Sequence, residues 1–522
     1  MTAPDTHFDV LVLGSQAGAA ATAALLARRG HRVGMVSWQS TTECAHEAES
    51  LTAHAADVVR LLGLEADMDA MEFPTKRGVW VIGTGAHTEF YLPTPRPSWH
   101  VRVDAFEGLL RRTAAEAGVV RLHGHHVQVE RDGSRIRSVS ICGEGHGEPT
   151  TYTARIFLDG SGRERLLSRS RVATQAITDP SPPFVSLRTT MEHADQGDRA
   201  RSMLLFHGQP RHCAWWVPTS PTTTAICVSI PWSTWCQMGQ EPNRAMAWGL
   251  EKLNPHLARR MEACEGHSTV EVERTEVYHM DRFAGDGWMC VGRAHHAVHP
   301  VFSFGLSLEL ADARAAADAT HSALNTGRDA LYFSRFMAAS KVQHEAIDDL
   351  IRYFWRYPSF LAHKARGETR RELVRLFAGD VREGTVSLLG SMRTSLHDAQ
   401  LGRTGQPAQP RTAQARPWKA PGHPTAGVTL HGPLGSGQVL ADERQAQLSP
   451  LQHASRGHDV HVAPGLFERS CRMHGAAAPG AKHIHRLAGG NLVHPGGHGR
   501  MGNVDGACDM PGAVLVLSSY VE

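Results

Sequence analysis

"VLVLGSQAGAAATAALLARRGHRV", residues 10–33, decides the fold. An apolar run ends at Gly14, a stretch rich in alanine and leucine leads to Gly30, and a second apolar run opens at Val33. Strand, tight turn, helix, strand is the order of a βαβ unit, which points a helix N-terminus at a dinucleotide pyrophosphate. The turn departs from Gly-x-Gly-x-x-Gly at two places: Gln16 stands at the second glycine and Ala19 at the third. Ala19 is a small change. Gln16 sets a side chain where phosphate oxygens meet bare backbone, and Ser37 ends the second strand where an acidic residue would take the ribose hydroxyls. Alone, this stretch fits either a dinucleotide site or a βαβ layer that holds no ligand.

The bulk properties narrow the class. The chain has 522 residues, 41% of them apolar, and a net charge of +2. That length predicts roughly three domains of about 150 residues. The charge balance excludes a polybasic surface for nucleic acid or membrane. No apolar run approaches the ~20 residues of a membrane helix. The opening "MTAPDTHFDVLVLG" lacks the basic and apolar regions of a secretory signal. Nine scattered cysteines without a CxxC pair predict reduced thiols and a cytoplasmic location.

The rest of the chain alternates and then changes character. "GVWVIG" and "TEFYL" read as strands, followed by the amphipathic helix "VDAFEGLLRRTAAEAG" and the strands "VRLHGHHVQVER", "IRSVSIC" and "ARIFLDGSG". Residues 183–275 are mostly strand, with "CAWWVPTS" and "TTAICVSI" as a hairpin pair. After residue 305 apolar residues recur three and four apart, as in "ALYFSRFMAASKVQHEAIDDLIRYFWR". Residues 397–522 turn Pro-, Gln- and Arg-rich, then Gly- and His-rich, a composition too poor in apolar surface to offset chain entropy. Histidines there, such as His483 and His485, follow composition rather than a ligand spacing.

Two later stretches carry a resemblance. "ARIFLDGSGRERLLSR" (154–169) is an apolar strand followed by Asp159 and a Gly-Ser-Gly turn, and "GDGWMCVGRAHHAVHPVFSFGLSLEL" (285–310) is strand, glycine turn and helix. Their order resembles the FAD-binding core of the flavoproteins that include para-hydroxybenzoate hydroxylase and the flavin-dependent halogenases. Four segments are most similar to the halogenases: "AESLT" (48–52), "FPTKRGVWV" (73–81), "CAWWVP" (213–218) and "HPVFSFG" (299–305). The resemblance spans about residues 8–395. Departures sit at Cys213 and Val217 in the Trp-x-Trp-x-Ile-Pro signature, at Arg293 in place of a flavin-facing aspartate, and at His299 before the proline.

The resemblance implies an α/β fold: a Rossmann-like FAD domain (1–182 and 276–320), a mostly antiparallel substrate-side sheet (183–275, with 76–100 contributing), a helical C-terminal region (321–396) and a low-complexity tail (397–522). It implies FAD, contacted by Gly14, Gln16, Gly18, Ala19, Glu49, Ser50, Arg102, Asp159, Gly292, Arg293, Pro300 and Gly305. Reduced flavin would come from a separate flavin reductase. Chloride or bromide would bind at the backbone of Ser303, Phe304 and Gly305, and hypohalous acid would pass to a catalytic lysine, Lys76. Trp215 would screen the flavin from the substrate. Phe302 stands where tryptophan-directed relatives carry a glutamate, so the implied substrate is a phenolic or pyrrolic ring, free or tethered to a carrier protein. A monooxygenase of the same fold and a relative that has lost flavin are the alternatives. His295 and His296 in "RAHHAVH" suggest no metal centre, because neither a carboxylate nor a third ligand stands at a metal-binding spacing.

Overall fold

The computed structural model describes residues 6–400, apart from 38–46, 86, 144–147, 179–182, 193–196, 263, 265–267 and 382–384, together with 429–430. Almost all of the expected tail lies outside the described residues.

The opening stretch folds as β1 (His7–Leu13), α1 (Ala17–Ala27) and β2 (Val33–Ser37). Alanine gives α1 its helix propensity, and its small side chains let it lie buried on nearly every side. The chain then forms β3 (Ala48–Ser50), β4 (Thr75–Ile82), β5 (Phe90–Arg102) and α2 (Val103–Glu116). It returns through β6 (Thr150–Asp159) to the first sheet and continues as β7 (Phe184–Glu192) and β8 (Cys213–Pro218) in the second. Two long helices follow, α3 (Gly305–Thr326) and α4 (Asp329–Arg356).

In the first sheet β1 lies between β2 and β6, parallel to both, with Val120–His123 outside β2 and Trp288–Cys290 outside β6. In the second sheet the order from β7 is Thr223–Pro231, β8, Ser202–His207, β4, β5 and β3. Those pairs are antiparallel except Ser202–His207 with β4, which is parallel. Both sheets belong to one compact unit.

Glycine decides how closely the first sheet and α1 approach. Gly14 has φ +114°, and a Cβ there would stand 2.4 Å from the carbonyl oxygen of Gly160, just past β6. A Cβ on Gly160 would meet the Ala19 Cβ at 2.6 Å, so Ala19 fits because its neighbour is bare. Gln16 has the same arrangement: its Oε1 fills the place a Cβ on Gly162 would take. The two lost glycines of the turn are thus matched by two glycines on the facing turn.

The Gly14 contact predicts that Gly14→Ala destabilises the protein by on the order of 3 kcal/mol, because clash and backbone strain add. Gly108, inside α2, has nothing within 4 Å of the place a methyl group would take. Gly108→Ala is expected to stabilise by about 0.5–1 kcal/mol. Urea midpoints of the two variants check both signs.

Candidate active site

The site lies where β3, β8 and the turn before α3 meet. Glu47, Glu49, Trp215, Cys227, Pro300 and Ser303 line a cleft of about 40 Å³. A larger hollow of about 600 Å³, between Arg135, Arg155 and Asp329, is lined by none of the expected site residues.

Trp215 and Trp216 are neighbours on β8 and face opposite ways, as strand alternation requires. Trp216 packs with Leu204 and Trp235. Trp215 turns to the cleft, and its Nε1 donates to the Val301 carbonyl at 2.7 Å. Pro300–Phe302 forms a short turn, and Ser303 follows it in the left-handed region at φ +57°. Ser303 accepts from the Ser50 backbone N–H at 2.9 Å and donates its hydroxyl to Glu49. Phe304 precedes α3 and Gly305 begins it, so this segment presents the helix's first N–H groups. The guanidinium of Arg293 lies beside Gly305, with Nη2 3.3 Å from a Cβ built there. Helix end and guanidinium share this corner with Glu49, whose Oε1 stands 3.7 Å from the same point.

Lys76 is 6% exposed, on the strand next to β3's partner. Strand alternation turns it inward between exposed Thr75 and Arg77, beside a register slip on the partner strand. Its Nζ donates to the carbonyls of Leu51 (3.1 Å) and Ser50 (3.4 Å). Burial lowers its pKa to about 7, against the raising influence of Glu49. Burial, reinforced by Glu47, raises that of Glu49.

The phosphate end is arranged differently from the expectation. Ala17 and Gly18, at the start of α1, donate their N–H groups to Glu107 Oε1 (3.2 Å) and Glu309 Oε1 (2.8 Å). The stem of Glu309 is clamped between Gly18 and Gly292, where a Cβ would stand 2.5 and 2.6 Å from its Cγ. Burial raises the pKa of Glu309 and, with help from Glu309, that of Glu107 to about 7.

Two expected cofactor contacts are turned elsewhere. Arg102 is 55% exposed at its side chain and faces Asp104 at 3.9 Å. Asp159 is fully buried and spends both oxygens on its own turn, accepting from the N–H groups of Ser161 (2.9 Å) and Leu167 (2.8 Å). Ser37 bonds His123 on the neighbouring strand at 2.9 Å. Sequence reading missed a buried ionic group. Arg188, on β7, stands 2.5 Å from Glu273 and 3.5 Å from Glu47, Arg163 also pairs with Glu273, and Arg293 lies 3.7 Å from Glu47. Burial works to raise the Glu47 pKa, but Arg188 and Arg293 overcome it and hold it at about 2. The signal was present: a lone arginine inside the apolar strand "FVSLRTTM" needs a buried partner.

Residues 7–334 match the FAD binding domain family. A 1H-pyrrole-2-carbonyl-[peptidyl-carrier protein] brominase of Pseudoalteromonas luteoviolacea is 30% identical over 342 residues, covering 64% of this chain and 82% of the relative. The chain belongs to the flavin-dependent halogenases. The solved structure of the flavin-dependent brominase Bmp2 matches with a TM-score of 0.71 at 28% identity, over 76% of this halogenase and 100% of Bmp2. The myxobacterial chondrochloren halogenase CndH shares the fold at a TM-score of 0.61 and 21% identity, over 73% of this chain and 91% of CndH. Among the described residues, no helix is long and apolar enough to cross a membrane.

FAD is the family's cofactor, and the residues present fit it. At the ring end the Ser50 hydroxyl is buried without a hydrogen-bond partner in the structure, beside the cleft. At the other end the first N–H groups of α1 already hold carboxylate oxygens, the donor chemistry a pyrophosphate needs. A pyrophosphate bound there would compete with Glu107 and Glu309.

That competition predicts a pH dependence. A charged Glu107 repels phosphate and a protonated one does not, so FAD affinity rises as pH falls through about 7. Glu309→Gln keeps an oxygen for Gly18 and removes the charge, so it is expected to tighten FAD by about three- to tenfold, on the order of 1 kcal/mol. Flavin fluorescence titrations across pH test both, and a wild-type affinity independent of pH would contradict the competition.

Proposed function

We propose that this halogenase modifies a pyrrole-type aromatic ring presented on a carrier protein, with Lys76 as the group that hands the halogen to the substrate. The substrate reading rests on the brominase relative, whose name gives a pyrrole carbonyl on a peptidyl-carrier protein. A separate reductase supplies the reduced flavin.

The observation that carries the role of Lys76 is its position. It is buried and held by the carbonyls of Ser50 and Leu51, in the segment whose Glu49 lines the cleft. Bound reduced flavin, with O₂ and halide, supplies hypohalous acid. The neutral Lys76 amine takes the halogen and releases water, then gives the halogen to the ring, which loses a proton. A pKa of about 7 leaves a good share of the amine neutral near neutrality. Trp215, fixed to Val301, walls the cleft and keeps oxidant from reaching substrate directly. Halide is held at Ser303, Phe304 and Gly305 by the start of α3, with Arg293 adding positive charge. Glu49 and Ser303 hold the β3 segment against that turn.

Lys76→Ala is expected to lower halogenated product by about a hundredfold or more while flavin oxidation continues, releasing free hypohalous acid. Lys76→Arg, which cannot become neutral, is not expected to rescue it. In the wild type the transfer step should speed up as pH rises through about 7, because the neutral amine is the reactive form. Product mass spectrometry on a pyrrolyl-loaded carrier protein, with a chemical trap for hypohalous acid, reads all three. Full product formation by Lys76→Ala would overturn the assignment.

A further inference from the structure

The sequence offered no third donor near His295 and His296, and the fold corrects this. α4 brings in His344 and α3 brings in Asp312. We propose that His295, His296 and His344 bind one divalent transition-metal ion of the zinc class, with Asp312 as the carboxylate beside His295 and His344.

One ring nitrogen from each histidine lies within 4.8 Å of the others. The rings already surround a common point. His295 and His344 stack with centroids 5.0 Å apart, and His296 meets His344 edge-on at 4.5 Å. Asp312 Oδ2 is 2.7 Å from His295 Nε2 and 3.6 Å from His344 Nε2. His344 is the telling residue. It is 2% exposed, and both of its ring nitrogens are buried without a hydrogen-bond partner in the structure. A buried imidazole with no hydrogen bond is costly in a well-packed core, and a metal ion would satisfy it.

The surroundings suit the ion. Nitrogens around tetrahedral zinc stand roughly 3.3 Å apart, so modest ring rotations close the set. Two carboxylates offset the added charge. Asp312 is oriented by the Ser340 hydroxyl (2.7 Å) and the Gly292 N–H (3.1 Å), and Asp348 stands 3.0 Å from His296. Outer partners of this kind fix ligand geometry. Three imidazoles supply three corners of a tetrahedral shell, among side chains that are almost wholly buried. The ion would tie the turn carrying Gly292 and Arg293 to both long helices. Nothing in this assignment depends on the substrate or on Lys76.

The test uses the full-length chain without an added histidine tag, stripped with chelator and titrated with Co(II), then with Zn(II) in competition. The wild type is expected to bind one tight equivalent with the visible bands of low-coordinate cobalt. His344→Leu is expected to lose that equivalent and those bands. The tail double variant His483→Ala/His485→Ala keeps them, which separates the site from the histidine-rich tail. His296→Gln, at the outer edge, replaces His344→Leu if the latter fails to fold by near-ultraviolet circular dichroism. A wild type without the bands, or a folded site variant that binds cobalt as the wild type does, would overturn the proposal.

Discussion

The approach of two turns, with no side chain between them, sets the frame of this protein. Gly14 and Gly160 close at the ends of β1 and β6: Gly14 must be bare to meet the Gly160 carbonyl, and Gly160 must be bare to meet Ala19. Everything at the cofactor edge inherits its position from that contact. It fixes where α1 begins and places Gly162 under Gln16. The cradle therefore holds Ala19 and Gln16 against bare backbone on the facing turn. Counting glycines along a single motif misjudges such a site, because the requirement belongs to the pair of surfaces.

Charge at this edge is also paired across the fold. Arg293 takes the place expected for an acidic residue, and carboxylates appear around it: Glu47 at 3.7 Å, with Glu49 and Glu309 also acting on it. Glu309 occupies the space left by Gly18 and Gly292. Arg293, 27% exposed at its side chain, offsets acids that are more deeply buried. Departures that look like decay when read one at a time are coupled in space.

Much of the fold was legible because it rests on local patterns. Apolar alternation marked the strands, and three-and-four spacing marked α3 and α4. The βαβ opening and the opposed faces of Trp215 and Trp216 followed from the period of the elements. What was not legible depends on distance in the chain. Glu107 reaches Ala17 across 90 residues, and Glu309 reaches Gly18 across 291. His344 meets His295 only because α3 and α4 pack side by side. Asp159 is the opposite case: its partners in the structure are local, the N–H groups of Ser161 and Leu167. Long-range pairing and local self-satisfaction are the two ways in which a motif and its chemistry part company.

The register slip beside Lys76 has an evolutionary side. Lys76 pairs with Ser98, and the slip separates that pairing from Gly78 opposite Pro93 and the hairpin beyond. The hairpin tip, between Ile82 and Phe90, thus lies on the far side of an irregularity from the lysine. Insertions or deletions at the tip can be absorbed there without changing the face on which Lys76 sits. The strand pair thus separates the hairpin tip from the stretch that buries Lys76 against the carbonyls of Ser50 and Leu51.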